Sequence, residues 1–158
     1  RDADRVLLPV HGKRGAGPGL ASLRWPAPQG YADFADKNVL VIIIIEEKRA
    51  VENIDAILDV KGIDVVFIGP NDLSYSYGDR GRQTPQVQEA IAKVIAAAKK
   101  RGIPAGRTAS AGEIKDHIAQ GFQFFQASSE LNFLASGARP ILDAAGKAAP
   151  DTKNRPLY

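Results

Sequence analysis

The chain contains no cysteine and no methionine, one tryptophan and two histidines in 158 residues. Without cysteine there is no disulfide, no thiolate metal site and no cysteine nucleophile. His11 and His117 lie far apart and neither sits in a nucleophile motif, so no Ser-His-Asp arrangement is readable. A Schiff-base enzyme would need a lysine directly after a strand-like run, and none stands there. Long apolar runs are missing as well. Val39 to Ile45 is far too short to span a bilayer and ends in two acids. Neither sign of charge dominates, with 21 Lys and Arg scattered among 18 Asp and Glu for a net charge of +3. A nucleic-acid surface is therefore not expected, whereas anionic small molecules fit this balance. The start, Arg1-Asp2-Ala3-Asp4-Arg5, lacks the apolar core of a signal peptide. Together with the absence of cysteine, this leads to the expectation of a cytoplasmic protein without membrane contact. Because methionine is lacking even at position 1, the chain is expected not to be an intact translation product from its start.

What is present is ordinary for a soluble globular protein: 44% apolar residues, 25% charged, and enough length for one domain with a core. We read residues 1–158 as a single domain with a loop-rich entry (1–38), β/α units (39–149) and a tail (150–158). Val6 to Val10 is a short apolar run, residues 11–30 are a Gly- and Pro-rich loop, and Tyr31 to Lys37 has the pattern of a short helix. Val39 to Ile45 is β-branched without polar alternation, which predicts a strand buried on both faces of a parallel sheet. Apolar residues at Val51, Ile54, Ile57 and Leu58 predict a helix over Lys48 to Val60, and Val65 to Ile68 is the next strand. Residues 73–84 read as a polar loop. Thr84 then caps a helix that opens on Pro85 and runs to about Arg101, with Gly102 closing it. Ile103 to Gly106 is a short strand, Ser110-Ala111-Gly112-Glu113 is a capping box for a helix to about Gln120, and Phe124 to Ala127 is the last strand. Leu131 to Leu134 and Pro140 to Ala149 look helical. The order β-α-β-α-β-α-β-α predicts an α/β fold, a parallel sheet joined by right-handed crossovers with helices outside. A closed (β/α)8 barrel takes about 250 residues, and four strands are half of its complement.

Two acids follow strand-like runs directly. The isoleucine run ends in Glu46, and Val65-Val66-Phe67-Ile68 leads into Gly69-Pro70-Asn71-Asp72, placing Asp72 26 residues after Glu46. In parallel α/β folds the carboxyl ends of strands form one rim where ligands bind. Two carboxylates there suit a hard divalent cation, which takes oxygen ligands and keeps water in its remaining positions. Gly69 permits close backbone approach to a ligand and Pro70 stiffens the turn. The same acids could equally be surface residues or helix caps at strand ends.

The residues quoted, with Ala50 to Val60, Gly62-Ile63-Asp64, Val66 to Ser74, Pro85 to Ile91 and Gly121-Phe122, resemble the HpcH/HpaI aldolase family. Upstream, His11-Gly12-Lys13-Arg14-Gly15-Ala16-Gly17 is similar to its Gly-rich loop after the fourth strand. The similarity runs over most of residues 9 to 145. It implies a (β/α)8 TIM-type barrel of which this chain is the second half, and a metal-dependent class II pyruvate aldolase. Such an enzyme cleaves a 4-hydroxy-2-oxo acid reversibly to pyruvate and an aldehyde through a metal-stabilised enolate. It further implies Glu46 and Asp72 as ligands of Mg2+, Mn2+ or Co2+, and Gly69 with the amides of Asn71 and Asp72 as the seat of pyruvate. The family's catalytic Arg and His fall in its first half, outside this chain. A homo-oligomer is implied too, a hexamer of dimers that exchange the last helix. The chain departs from the family at Ile44, where a polar residue is usual, and at Glu47, a second acid that leaves the register of the metal ligand open by one residue. Two alternatives stay open: a related lyase of the citrate-lyase-β or malyl-CoA type, or a catalytically incomplete half-barrel that binds metal or 2-oxo acid.

Other polar residues are read more plainly. His11 and Arg14 could contact an anion at the rim or belong to a basic loop. Arg107, at a strand end, could hold an acidic substrate tail but is expected to be solvated. His117 is expected to be exposed on its helix. Trp25 is expected to pack, Tyr75 and Tyr77 could cover the site or pack within their loop, and Lys99-Lys100-Arg101 is expected to balance a helix dipole. A half-sheet of four strands should expose its edges and an apolar face.

Overall fold

The computed structural model describes residues 12–15, 17, 19–24 and 30–146. The Val6 to Val10 run, His11, Trp25 and the tail over 150–158 lie outside the described residues. Four strands, β1 (Ile42–Ile45), β2 (Val65–Ile68), β3 (Ala105–Thr108) and β4 (Phe124–Gln126), form one sheet in the order β1-β2-β3-β4. Every neighbouring pair is parallel. Helices α1 (Gly19–Arg24) and α2 (Tyr31–Asn38) precede the sheet, so the stretch read as a loop through residue 30 contains a helical turn. Between β1 and β2 lie α3 (Lys48–Glu52) and α4 (Ile54–Leu58). Helices α5 (Pro70–Ser76) and α6 (Pro85–Lys100) join β2 to β3, α7 (Ile114–Ala119) joins β3 to β4, and α8 (Glu130–Ala144) follows. Among the described residues no helix is long and apolar enough to cross a membrane.

The core sits between the sheet and α3–α6. Ile45, Val66 and Ile68 point from the strands into Val51, Ile54 and Leu58 of α3–α4, Leu73 of α5, and Val87, Ile91 and Val94 of α6. Helix α6 presents Val87, Ala90, Ile91, Val94, Ala97 and Ala98 as one buried stripe, the spacing of an amphipathic helix. Each large side chain sealed in this layer contributes about 1.5–3 kcal/mol. Thr84 caps α6 by accepting from Val87 N at 3.4 Å, with Pro85 at the first position as the sequence predicts. At the other end Gly102 (φ 68°) and, after α7, Gly121 (φ 102°) take the left-handed conformation that reverses the chain into the next strand.

Several expectations are corrected. Helix 48–60 is interrupted at Asn53 (φ −100°, ψ 15°), where Nδ2 donates to Arg49 O at 2.8 Å beside the residue's own backbone N at 3.2 Å. Residues 70–76 are helical rather than loop, opening on Pro70. Strand β1 starts only at Ile42, because Val41 N is taken by Asp64 Oδ2 at 2.8 Å. Nor is β1 buried on both faces: Ile42 is 40% and Ile44 58% exposed, leaving the apolar face expected of an uncovered sheet. Arg101 does more than balance a dipole. Its Nη1 donates to Asp55 Oδ1 at 2.9 Å and its Nε to Asp59 Oδ1 at 2.8 Å, tying the end of α6 to α4. These two carboxylates hold the guanidinium above its usual pKa. His117 is buried against the edge of Phe122 with ring centroids 5.8 Å apart, because the α7 turn folds the imidazole under Gly121 and Phe122. Helix α8 runs unbroken through Pro140 and is exposed along its length.

Candidate functional site at the carboxyl ends of the strands

Strand pairing continues past the ends of β1 and β2. Gly69 N donates to Ile45 O at 3.1 Å, which sets Glu46 beside Gly69. A Cβ built on Gly69 would stand 3.2 Å from both Cβ and Oε2 of Glu46 and 3.7 Å from Ile44 Cγ2. Glycine at this position therefore leaves space that the Glu46 carboxylate shares. Glu46 lies against Gly69, while the neighbouring Glu47 is the N-cap residue of α3. Asp72 stands in the first turn of α5, with Asn71 before it, and both are exposed. The first-turn N–H groups of any helix have no acceptor within it.

The loops that carry the two acids are pinned together. Lys48 N, at the start of α3, donates to Ser76 Oγ at 2.9 Å, and Ser76 Oγ donates to Leu73 O at 2.8 Å. The Lys48 ammonium lies over the Tyr77 ring, 5.7 Å from its centroid. Burial first, then nearby Glu52, pushes the Tyr77 hydroxyl above its usual pKa. Below α5 the segment 77–84 folds back on itself. Buried Ser74 donates to Arg82 O at 2.7 Å, Thr84 Oγ1 donates to Asp79 Oδ2 at 2.7 Å, and Gln83 Nε2 donates to Pro70 O at 3.2 Å. Gly81 (φ 84°) brings this return against Asn71, whose Oδ1 is 3.1 Å from where a Gly81 Cβ would be. Sequence reasoning singled out Glu46, Gly69, Asn71 and Asp72 but missed Ser74 and Ser76, whose only signal was their position after the acid.

Among the described residues, no three His, Cys, Asp or Glu side chains gather to hold a metal ion. Glu46 and Asp72 carry carboxylate oxygens, donors of the kind that suit Mg2+, Mn2+ or Co2+. Neither Glu46 nor Asp72 is engaged in an ion pair or side-chain hydrogen bond among the described residues, so both are free to ligate.

The rim extends to β3 and β4. There a cleft of about 340 Å³ opens between the loops that follow them, lined by Arg107, Thr108, Ser110, Gln126, Ser129 and Asn132 among others. Arg107 is half-buried rather than solvated, its guanidinium 5.3 Å from the Phe122 ring centroid. A larger apolar cavity of about 920 Å³ lies between α6 and α7 at the opposite end of the strands. Among the described residues Lys99 is the one ionisable side chain lining it. Arg14 is half-buried, with Nη2 enclosed and unpartnered among the described residues.

Comparison with known proteins follows the same lines. Residues 6–136 match the family model for HpcH/HpaI aldolase/citrate lyase. The chain is 31% identical over 141 residues to the 5-keto-4-deoxy-D-glucarate aldolase of Klebsiella pneumoniae subsp. pneumoniae, covering 88% of this chain and 55% of that protein. It is 34% identical over 157 residues to the 4-hydroxy-2-oxo-heptane-1,7-dioate aldolase of Escherichia coli, covering 97% and 60%. Among solved structures, an HpcH/HpaI aldolase/citrate lyase family protein of Burkholderia cenocepacia J2315 superposes with a TM-score of 0.78 at 26% identity, covering 92% of this chain and 59% of that one. The chain thus spans little more than half the length of the relatives it matches.

Proposed function

The chain belongs to the HpcH/HpaI aldolase/citrate lyase family, and on that premise we propose that it forms part of a divalent-metal-dependent pyruvate aldolase. The reaction is the reversible aldol cleavage of a 4-hydroxy-2-oxo acid to pyruvate and an aldehyde. The observation that carries this reading is the placement of Glu46 against Gly69 beyond two paired strand ends, with Asp72 in the helical turn that follows. In this reading Glu46 and Asp72 hold the cation, and the free amides of Asn71 and Asp72 seat the carboxylate of pyruvate. When bound, the cation supplies a Lewis acid that favours negative charge on the 2-oxo oxygen. The protein's own part is to fix the two carboxylates. The Lys48–Ser76 and Gly69–Ile45 hydrogen bonds do this by locking the β1–α3 and β2–α5 loops to one another. Both relatives named above are called after dicarboxylic substrates. Removing pyruvate from such a molecule leaves the second carboxylate on the aldehyde.

The four strands are proposed as consecutive staves of a (β/α)8 barrel. Their order runs without the reversal that marks a doubly wound sheet. The uncovered face of Ile42 and Ile44 is the face a barrel turns inward. A homo-oligomer is part of the same proposal, supported by the exposed Leu131, Leu134 and Ile141 along α8.

The test is exchange of the pyruvate methyl protons in D2O, followed by NMR with and without Mn2+ or Mg2+, which needs no choice of aldehyde. It is paired with Mn2+ binding measured by electron paramagnetic resonance. Metal-dependent exchange in the parent, with both exchange and Mn2+ affinity reduced about tenfold or more in Glu46→Gln and Asp72→Asn, is expected. Mn2+ affinity untouched by either substitution would remove the proposed ligands.

A further inference from the structure

Helix α6 carries more apolar surface than its own core uses. One stripe, from Val87 to Ala98, is sealed in the layer between the sheet and the helices. A second row, Ile91, Ala92, Ile95 and Ala96, lines the cavity of about 920 Å³ between α6 and α7. The cause is a mismatch in length. Helix α6 has 16 residues and α7 has 6, a difference of about 15 Å along the helix axis. Gly121 (φ 102°) turns the chain away after α7, and its backbone passes so close to α6 that a Cβ there would stand 3.3 Å from Ile95 Cγ2. Around that contact the groove stays open. Ile118 on the facing wall is 56% exposed, and Ile103 and buried Phe122 complete the apolar lining.

The groove has a polarity. Gln88 and Lys99 bracket the α6 row, and they stand about 16 Å apart along the helix. Gln88 is already engaged, its Nε2 donating to Gln83 Oε1 at 3.3 Å. Lys99 forms no ion pair among the described residues, and no carboxylate is among the groove's described lining residues. Asp55 and Asp59, which approach this end of α6, are taken by Arg101. Lys100 follows Lys99 and adds to the positive charge there. Small-molecule sites run from about 300 to 1,000 Å³, are mostly apolar, and use a few polar groups to fix orientation. A trough of that size, apolar along its length and cationic at one end, is complementary to an apolar chain with an anionic head.

We propose that this groove binds an unbranched fatty carboxylate of medium length, with the chain along α6 and the carboxylate at Lys99. The site lies at the opposite end of the strands from Glu46 and does not rest on the aldolase reading.

Isothermal titration calorimetry on the full chain compares decanoate, octanoate and decylammonium. Decanoate is expected to bind at one site per chain, and octanoate about tenfold more weakly or worse, because two methylenes leave the groove. Lys99→Met should weaken decanoate about threefold, the range of an exposed ion pair. Lys99→Glu should reverse the preference in favour of decylammonium, a result that a folding defect does not produce. Ala96→Phe fills the groove from an exposed helix position and should weaken decanoate about tenfold or more, with the urea midpoint unchanged. Ile42→Gln, on the uncovered sheet face, should leave the affinity as it is. Absence of decanoate binding in the parent, equal affinity there for decanoate and decylammonium, or equal losses in Ile42→Gln and Ala96→Phe would each overturn the proposal. Should Ala96→Phe split an oligomer of the parent in sedimentation velocity while decanoate affinity stays unmoved, the groove is an interface between copies and the proposal falls.

Discussion

Gly106 is closely enclosed within the sheet, and replacing it with alanine should be costly. In register, Ile44, Phe67, Gly106 and Phe124 form one row across the four strands. The rings of Phe67 and Phe124 meet edge to face at 6.3 Å over the gap that glycine leaves. A Cβ at 106 would lie 3.0 Å from Phe124 Cδ1, from the Phe124 carbonyl oxygen and from Phe67 Cδ2. The first and third contacts can be relieved by turning rings, but the second is backbone and moves only if β4 shifts. Overpacking of this kind costs about 1–3 kcal/mol. Separating the ring pair adds about 0.5–1.5 kcal/mol. The stiffer unfolded chain returns about 0.4–1 kcal/mol. The expected net loss is therefore about 2 kcal/mol, a large share of a typical domain's stability. Urea unfolding followed by circular dichroism measures it, with an unchanged m-value showing that the transition itself is the same. Phe124→Leu combined with Gly106→Ala should couple by about 0.5 kcal/mol or more, because the two substitutions act on one contact. A loss below about 0.5 kcal/mol, or strict additivity with Phe124→Leu, would refute the reasoning.

Two further outcomes follow from the loops. Thr84→Ala should destabilise by about 1 kcal/mol, since Thr84 Oγ1 both caps α6 and bonds Asp79, while Thr84→Ser should keep most of that; equal losses in the two variants would show that the hydroxyl is not responsible. The Glu113 carboxyl is held below its ordinary pKa chiefly by the Ser110 hydroxyl and then by Ser110 N. A carboxyl lowered in the folded state contributes stability above its unfolded pKa and loses it as pH falls through the folded value. The difference in urea midpoint between the parent and Ser110→Ala should thus be present at neutral pH and close in acid, and a difference that widened in acid would contradict the assignment.

The sequence was legible where local chemistry and burial agree. Strand β2 lies where its apolar run does, and Thr84-Pro85 opens α6 as its side chains require. Glu46 and Gly69 stand next to each other because both follow paired strand ends, a consequence of parallel alternation itself. Legibility failed where a distant partner decides. Asn53 is a local exception: it interrupts a helix that has a continuous apolar stripe, with its side chain and its backbone N both on the Arg49 carbonyl. Ser74 and Ser76 looked like ordinary loop residues, yet each finds a backbone partner that only the folded return of 77–84 or the approach of α3 supplies. Arg107 and His117 both depend on Phe122, which lies beside them only once α7 has turned back toward β4. Uniform isoleucine at 42–45 gave no hint of which face would be left open, since the run has no polar residue to mark it.

The unreversed strand order has a consequence for synthesis. Ile42 pairs with Val65, Val66 with Ala105 and Gly106 with Phe124, so each strand's partner is always the one made just before it. At about 5–20 residues per second, the wait between partners leaving the ribosome is a few seconds. No strand must be threaded between two that have already joined. The sheet can be laid down in the order of translation, each new unit docking on a finished edge and leaving one fresh edge for the next.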